Sequence, residues 1–349
     1  VYCMASQLDP IVYQYFILFR LQTSRVIPLI NTSLIFPGQG SQFVGMGRDL
    51  FDAYSTAKEM FEELDDTLGY SLSKIMFEGP IETLTLTEHT QPSLMAMSAI
   101  IVKIIEMESG VSLDRYINFA AGHSLGEYSA LTVANAINFV DAAKILKSRG
   151  QAMQSAVPNG KGSMVAILGA DIASVEEIAA EASKIGICSV ANDNSVGQIV
   201  LSGSSEAIKK AIEISKNFGI KKCIRLPVSA PFHCELMVPA AEIMGEKLKC
   251  LDIKKPKMKI ISNVTAKPVS SPQKIRDLLL DQITATVRWR ESVLFMINNG
   301  TRRFIEIGAG KVLTGLTRRI DKNINCNSVE TPHDIEDILT SLIKDKEVL

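Results

Sequence analysis

Gly122-His123-Ser124-Leu125-Gly126 fits the pattern G-x-S-x-G, and its setting gives the pattern weight. The residues before it, INFAAG (Ile117 to Gly122), read as a buried strand, and LGEYSALTVANAI after it reads as a helix. A serine at that junction sits on a strained turn whose small neighbours let strand and helix approach. Its Oγ is presented at the N-terminal end of a helix, where free N–H groups and aligned peptide dipoles favour negative charge. That is a setting for a nucleophile. The blander reading of the same residues is a serine cap flanked by glycines.

A serine hydroxyl needs a base, and the chain has four histidines. His89, in TEHTQPS, has no strand-end context, so a plain polar role is expected. His123 adjoins Ser124 on the turn, so its side chain should point away from the hydroxyl, in a structural role. His333, in ETPHDIED, lies in a charged and exposed segment. His233, in PVSAPFHCELM, follows a Pro-punctuated loop at a strand end and precedes a helix, where α/β enzymes gather reactive groups. Elimination leaves His233 as the base.

A second candidate is the glycine-rich turn in SLIFPGQGSQFVGMG, Ser33 to Gly47. It is not a dinucleotide fingerprint, because Phe43 stands where the third glycine of G-x-G-x-x-G belongs, and it lacks the Gly-Lys-Ser/Thr of a Walker loop. GAGK, with Gly308 and Gly310, also lacks that Ser/Thr and reads as a structural turn after a strand.

The elements that must hold these residues alternate short apolar runs with amphipathic stretches from Leu34 onward, the pattern of an α/β fold. Between Gly162 and Val228 the order is strand SMVAILG, helix SVEEIAAEASKIG, strands CSVAN and QIVLSG, helix SEAIKKAIEISKNFG and strand KCIRLPV. This βαββαβ arrangement is ferredoxin-like. We therefore expect an inserted subdomain at 158–228 within a larger α/β domain formed by 33–157 and 229–349. The larger domain resumes through KMKIISN, a helix around Lys274 to Gln282, the strand RRFIEIG and a last helix after GAGK. With 349 residues, 46% apolar and 21% charged, the chain has the balance of a globular protein with a full core.

A net charge of −1 gives no global electrostatic argument for nucleic acid or an anionic membrane. The six cysteines form no C-x-x-C pair, which argues against a zinc knuckle or disulfide framework and suits a reducing compartment. No run is apolar enough to span a bilayer. Residues 1–32 differ from the rest, with one acid, Asp9, two arginines and a short, interrupted apolar patch. They read as an extension outside the fold; were they a leader, the setting would be a mitochondrial or plastid matrix instead of the expected cytoplasm.

FPGQGSQ, GHSLGEYSAL, the arginine in SRGQAMQ, NDNSVGQIVLSG, VSAPFHC and IGAGKVLTGL occur in that order from about Ser33 to Ile320. Together they resemble the malonyl-CoA:acyl-carrier-protein transacylases, acyltransferases of type II fatty-acid synthesis. The resemblance implies a hydrolase-like α/β domain with a short parallel sheet and an inserted ferredoxin-like subdomain. It implies that Ser124 takes malonyl from malonyl-CoA as an ester and that His233 is its general base, oriented by the backbone carbonyl of Gln282. The backbone N–H groups of Gln39 and Leu125 would form the oxyanion hole, so the glycine-rich loop would serve an oxyanion and not a phosphate.

Arg149, an ordinary solvated residue if read alone, would clamp the free malonyl carboxylate with its two parallel donors. Phe232 and Leu125 resemble the malonyl-selecting members of the family, and Gln91, Asn192 and Asn194 match further pocket-lining positions. The expected partners are acyl carrier protein, malonyl-CoA and CoA, with the protein a monomer and no metal or redox cofactor needed. The basic runs Lys221-Lys222 and Lys254-Lys255-Pro256-Lys257 could receive an acidic carrier, although a plain solvated surface is the favoured reading of each. Two rivals remain: an α/β-hydrolase acting as thioesterase or esterase, with His333 and a nearby aspartate completing a triad, and a non-catalytic carrier-binding scaffold.

Overall fold

The computed structural model describes residues 31–228 and 230–348. The extension expected over 1–32 lies, apart from its last two residues, outside the described residues.

Two sheets organise the described residues, giving a mixed α/β architecture. The larger has six strands in the order β10-β9-β1-β2-β7-β8. β1 (Thr32–Phe36), β2 (Ile117–Gly122), β7 (Lys259–Ile261), β9 (Arg303–Ile307) and β10 (Asn325–Val329) run parallel, and the two-residue β8 (Pro268–Val269) closes one edge antiparallel. All five residues of β1 are buried, as a central strand covered by helices on both faces requires.

Five helices lie between β1 and β2: α1 (Arg48–Ala53), α2 (Ser55–Leu68), α3 (Leu72–Glu78), α4 (Ile81–Thr85) and α5 (Thr87–Ser109). α5 is buried on nearly all sides from Thr90 to Val102, so it is an internal helix rather than a surface one. α6 (Gly126–Val133) follows β2, and α7 (Phe139–Ser155) follows it. α6 is shorter than LGEYSALTVANAI suggests. Asn135 takes φ 57° and the Ala136 N–H donates to the Leu131 carbonyl, so a left-handed residue turns the chain out of the helix after Val133.

The smaller sheet has β3 (Gly162–Leu168), β4 (Cys188–Ser195), β5 (Gln198–Ser204) and β6 (Lys222–Arg225), all antiparallel in the order β4-β5-β3-β6. α8 (Ile172–Ala182) and α9 (Ser205–Ser215) complete the βαββαβ order. Strand alternation divides its side chains between two cores. Val165 and Ile167 of β3 join Ile199 and Leu201 of β5 and the helix residues Val175, Ile178 and Ile208. The intervening Met164 and Ala166, with Val200, face the core of the larger sheet instead. Each fully buried aliphatic side chain here contributes about 1.5–3 kcal/mol, so a Val165→Asp change would unseat α8 and α9 first.

The sheets are also stitched along their backbones. The Asp193 N–H donates to the Val287 carbonyl (3.0 Å), and the Val287 N–H donates to Ala191 (2.8 Å). Arg290 grips the buried Asp193 carboxylate with Nε and Nη2 at 2.7–3.0 Å.

After β6 come α10 (Val238–Lys249), α11 (Pro272–Asp281), α12 (Trp289–Asn298), α13 (Val312–Ile320) and α14 (Pro332–Val348). The helix after GAGK is thus not the last element. β10 and α14 follow it, and β10 was hidden because an edge strand reading NCNSV buries only Cys326 and Val329 well. The N-terminus of α13 is filled from within: the Leu313 and Thr314 amides donate to Glu306, at 3.0 and 2.7 Å. The IGAGK turn thereby has its own acceptor.

Candidate active site

β2 ends at Gly122 and α6 begins at Gly126, leaving three residues for the reversal. Ser124 sits at its apex with φ 52°, a left-handed conformation that costs a non-glycine residue on the order of 1 kcal/mol. The reversal is this tight because Gly126 lies against β1: a Cβ there would stand 2.3 Å from the Phe36 carbonyl oxygen. Asn263, just beyond β7, pins the turn. Its Oδ1 accepts the Ser124 N–H (2.8 Å) and its Nδ2 donates to the Gly122 carbonyl (2.7 Å).

His233 arrives from the loop between β6 and α10, also strained at φ 59°. Its Nδ1 lies 2.8 Å from the Gln282 carbonyl oxygen, which can only accept, so Nδ1 carries the proton and Nε2 the lone pair. The Ser124 hydroxyl donates to that Nε2 at 2.8 Å. Burial first, and the positive charge of Arg149 second, push the His233 pKa down to about 3, so the ring is neutral at physiological pH. The arrangement is a serine with a neutral base at hydrogen-bond distance, oriented by a carbonyl and not by an acid.

Arg149, from α7, is 1% exposed. Its Nη1 donates to Gln91 Oε1 (2.9 Å), and its Nη2 donates to Gln282 Oε1 (2.9 Å) and to Ser124 Oγ (3.2 Å). The guanidinium lies over the Tyr128 ring. Among the described residues its Nε has no hydrogen-bond partner and no carboxylate lies within ion-pair distance of it. A buried cation held by neutral groups is suited to an incoming anion.

Ser124, His233, Arg149, Gln39, Gln91, Leu125, Phe232 and Asn192 line one cavity of about 100 Å³, with His123, Met153, Met164, Leu226 and Val228 completing it. The Gln39 and Leu125 backbone N–H groups donate to nothing among the described residues. The loop carrying Gln39 is drawn onto the serine turn at Gly38, where a Cβ would come within 2.7 Å of the His123 carbonyl oxygen. Unpaired amides beside a nucleophile are equipped for a developing oxyanion.

Asn194 is not in the cavity lining. It accepts from His123 Nε2 at 2.8 Å, behind the turn, while Asn192 reaches the pocket. β4 shifts register on β5 between Val190 and Asn192 and again between Asp193 and Ser195, so two asparagines two residues apart need not share a face. His123 is structural through that bond, although it also touches the cavity. His89 is held by the Tyr70 hydroxyl at 2.9 Å, the plain polar role expected. His333 is exposed near the start of α14 and outside the cavity.

Three functional features were not foreseen: Asn263, the Gln282 side chain and Glu127. Glu127 lies in the first turn of α6 with its carboxyl buried, which pushes its pKa up to about 7. The signal available for it was its place directly after the glycine of G-x-S-x-G.

Residues 33–347 match the family described as acyl transferase domain. A malonyl CoA-acyl carrier protein transacylase of Bacillus subtilis is 43% identical over 305 residues, 87% of this chain and 95% of the relative. The crystal structure of an acyl-carrier-protein-S-malonyltransferase from Bartonella henselae superposes with a TM-score of 0.87 at 46% identity, covering 89% of this chain and 99% of the other. A malonyl-transacylase in complex with its type II PKS acyl-carrier protein gives a TM-score of 0.85 at 39% identity, covering 90% and 99%.

Proposed function

This chain belongs to the acyl transferase family, and we propose that it moves a malonyl group from malonyl-CoA to the phosphopantetheine thiol of acyl carrier protein through an ester on Ser124, in fatty-acid synthesis. One observation carries the reading: Ser124 Oγ, His233 Nε2, His233 Nδ1 and the Gln282 carbonyl form an unbroken line with 2.8 Å at each hydrogen bond.

Ser124 Oγ attacks the thioester carbonyl as its proton passes to His233 Nε2. The carbonyl oxygen becomes an oxyanion held by the Gln39 and Leu125 amides, each such donor contributing about 3 kcal/mol to the transition state. The C–S bond breaks, and the imidazolium returns the proton to the leaving CoA sulfur. The carrier thiol then enters and the same steps run in reverse. A base pushed down to about 3 is weak, but its conjugate acid is correspondingly strong toward a leaving thiolate. A malonyl carboxylate on Arg149 offsets part of the charge that lowers His233, so the base strengthens when the cognate acyl group is in place.

Gln91, Asn192 and Phe232 shape the acyl pocket in this reading. Exchange of one thioester for another is redox-neutral and calls for no cofactor. We take the protein to act as a cytoplasmic monomer. We also read the smaller sheet as the ferredoxin-like insertion at 158–228, and 33–157 with 229–349 as a hydrolase-like catalytic domain; the strand order β4-β5-β3-β6 and the separate apolar core beneath α8 and α9 support this. The hydrolase alternative needs His333 near the serine, and its exposed place on α14 speaks against it.

Initial rates with malonyl-CoA varied at several fixed carrier concentrations test the covalent route. Parallel double-reciprocal lines are expected; lines that intersect would mean direct transfer without an acyl-serine.

A further inference from the structure

Glu127 is a buried acid, 1% exposed, that the transfer chemistry above leaves unused. Its Oε2 accepts two hydrogen bonds, from the Asn263 N–H at 3.0 Å and from Gln282 Nε2 at 2.8 Å. Each of those residues holds a reacting group with its other atoms. Asn263 Oδ1 receives the Ser124 N–H, and Gln282 Nε2 also reaches the Ser124 carbonyl at 3.0 Å. The Gln282 backbone carbonyl receives His233 Nδ1, and its Oε1 receives Arg149 Nη2.

Once ionised, above pH 7, the Glu127 carboxylate only accepts, and a guanidinium only donates, so together they dictate which way the Gln282 amide points: nitrogen to Glu127, oxygen to Arg149. Glu127 also offsets the buried charge of Arg149 across that amide without forming an ion pair with it, and so leaves the guanidinium open to a substrate carboxylate.

We infer that Glu127 is a positioning residue, whose single carboxylate oxygen sets the register of nucleophile, base and carboxylate clamp through Asn263 and Gln282. The inference rests on the malonyl-transfer reading. A Glu127→Gln change keeps the side-chain shape but replaces one acceptor with a donor facing Asn263 N–H or Gln282 Nε2, and removes the charge that orients Gln282.

The test is rapid-mix loading of the protein with malonyl-CoA and, separately, acetyl-CoA, without carrier, read by intact mass. The amplitude counts competent sites and the rate constant reports each site's chemistry. At pH 8, where Glu127 is ionised, the rate constant per site for E127Q is expected to fall about tenfold or more with both donors, and half-saturation by malonyl-CoA to weaken as the Arg149 clamp loses its register. A rate constant equal to wild type, with only amplitude or melting temperature reduced, would make Glu127 a packing residue and overturn the inference.

If E127Q shows no cooperative melting, Glu127→Asp decides. It keeps the charge but draws it back by one methylene, so a reduced rate constant per site is expected and a wild-type one overturns the inference. Absence of any malonyl adduct on the wild-type protein would instead sink the transfer reading itself.

Discussion

The two walls of the cavity are built on opposite principles. The wall from the larger sheet carries Gln39, Gln91, Ser124, Arg149 and His233, backed by Glu127, Asn263 and Gln282 in one hydrogen-bonded network. The wall from the smaller sheet offers Met164, Leu226 and Val228, with Asn192 as its polar member. Reacting groups must be fixed relative to each other within fractions of an ångström, which a network anchored on β1, β2, α6, α7 and α11 provides. In the malonyl-transfer reading the facing wall has the simpler task of shaping the acyl site and excluding water that would hydrolyse the ester. The polar wall costs stability through buried charge and two left-handed residues, whereas the apolar wall adds to stability by burial.

The contrast is broken most severely by His233→Ala. Loading of Ser124 from malonyl-CoA is expected to slow by about 10³–10⁴, measured by rapid quench, and a loss under tenfold would remove the histidine from the chemistry.

Next in size is the cost of Glu127. Its carboxyl rises from 4.5 to about 7 on folding, so the stability it contributes is present below the unfolded value and is lost as pH rises through 7. Urea denaturation at pH 5 and pH 8 should show E127Q gaining on wild type by up to about 3 kcal/mol at the higher pH. An equal offset at both pH values would contradict a buried titrating acid. His233 acts with the opposite sign: its depressed pKa costs stability as pH falls below 6.5, a cost that persists in E127Q and so leaves the comparison intact.

Arg149→Ala should lower the preference for malonyl-CoA over acetyl-CoA by about 10–100-fold in a competition assay. An unchanged ratio would leave the clamp without a role. Smallest of all, Met164→Ala on the apolar wall should leave transfer to carrier within about twofold while hydrolysis of the malonyl ester rises about threefold. A large loss of transfer there would show that the smaller sheet takes part in the chemistry.

What the sequence disclosed follows the same division. Ser124 was legible because strand, turn and helix are contiguous and the glycines announce the close approach at Phe36. The βαββαβ order of the smaller sheet was legible because the apolar runs in SMVAILG and QIVLSG are continuous, matching burial on both faces, each of which meets a core. His233 required elimination, and its partner carbonyl on Gln282 lies 49 residues away, beyond any local pattern. Nothing in the local pattern sets Glu127 apart from an ordinary acid in a helix's first turn; it is buried with a partner, the Asn263 N–H, that lies 136 residues later in the chain. Asn194, grouped with Asn192 by resemblance alone, is instead held by His123 outside the cavity lining, a placement that nothing in NDNSVGQ marks.

The claim on which the rest depends is an acyl-enzyme on Ser124. Mixing the protein with malonyl-CoA in the absence of carrier, then digesting at low pH and mapping the adduct by tandem mass spectrometry, addresses it directly. One malonyl group on Ser124, discharged when holo-carrier is added and absent from Ser124→Ala, is the predicted result. A protein that transfers malonyl to carrier with Ser124 unmodified, or with the adduct on another residue, would contradict the account.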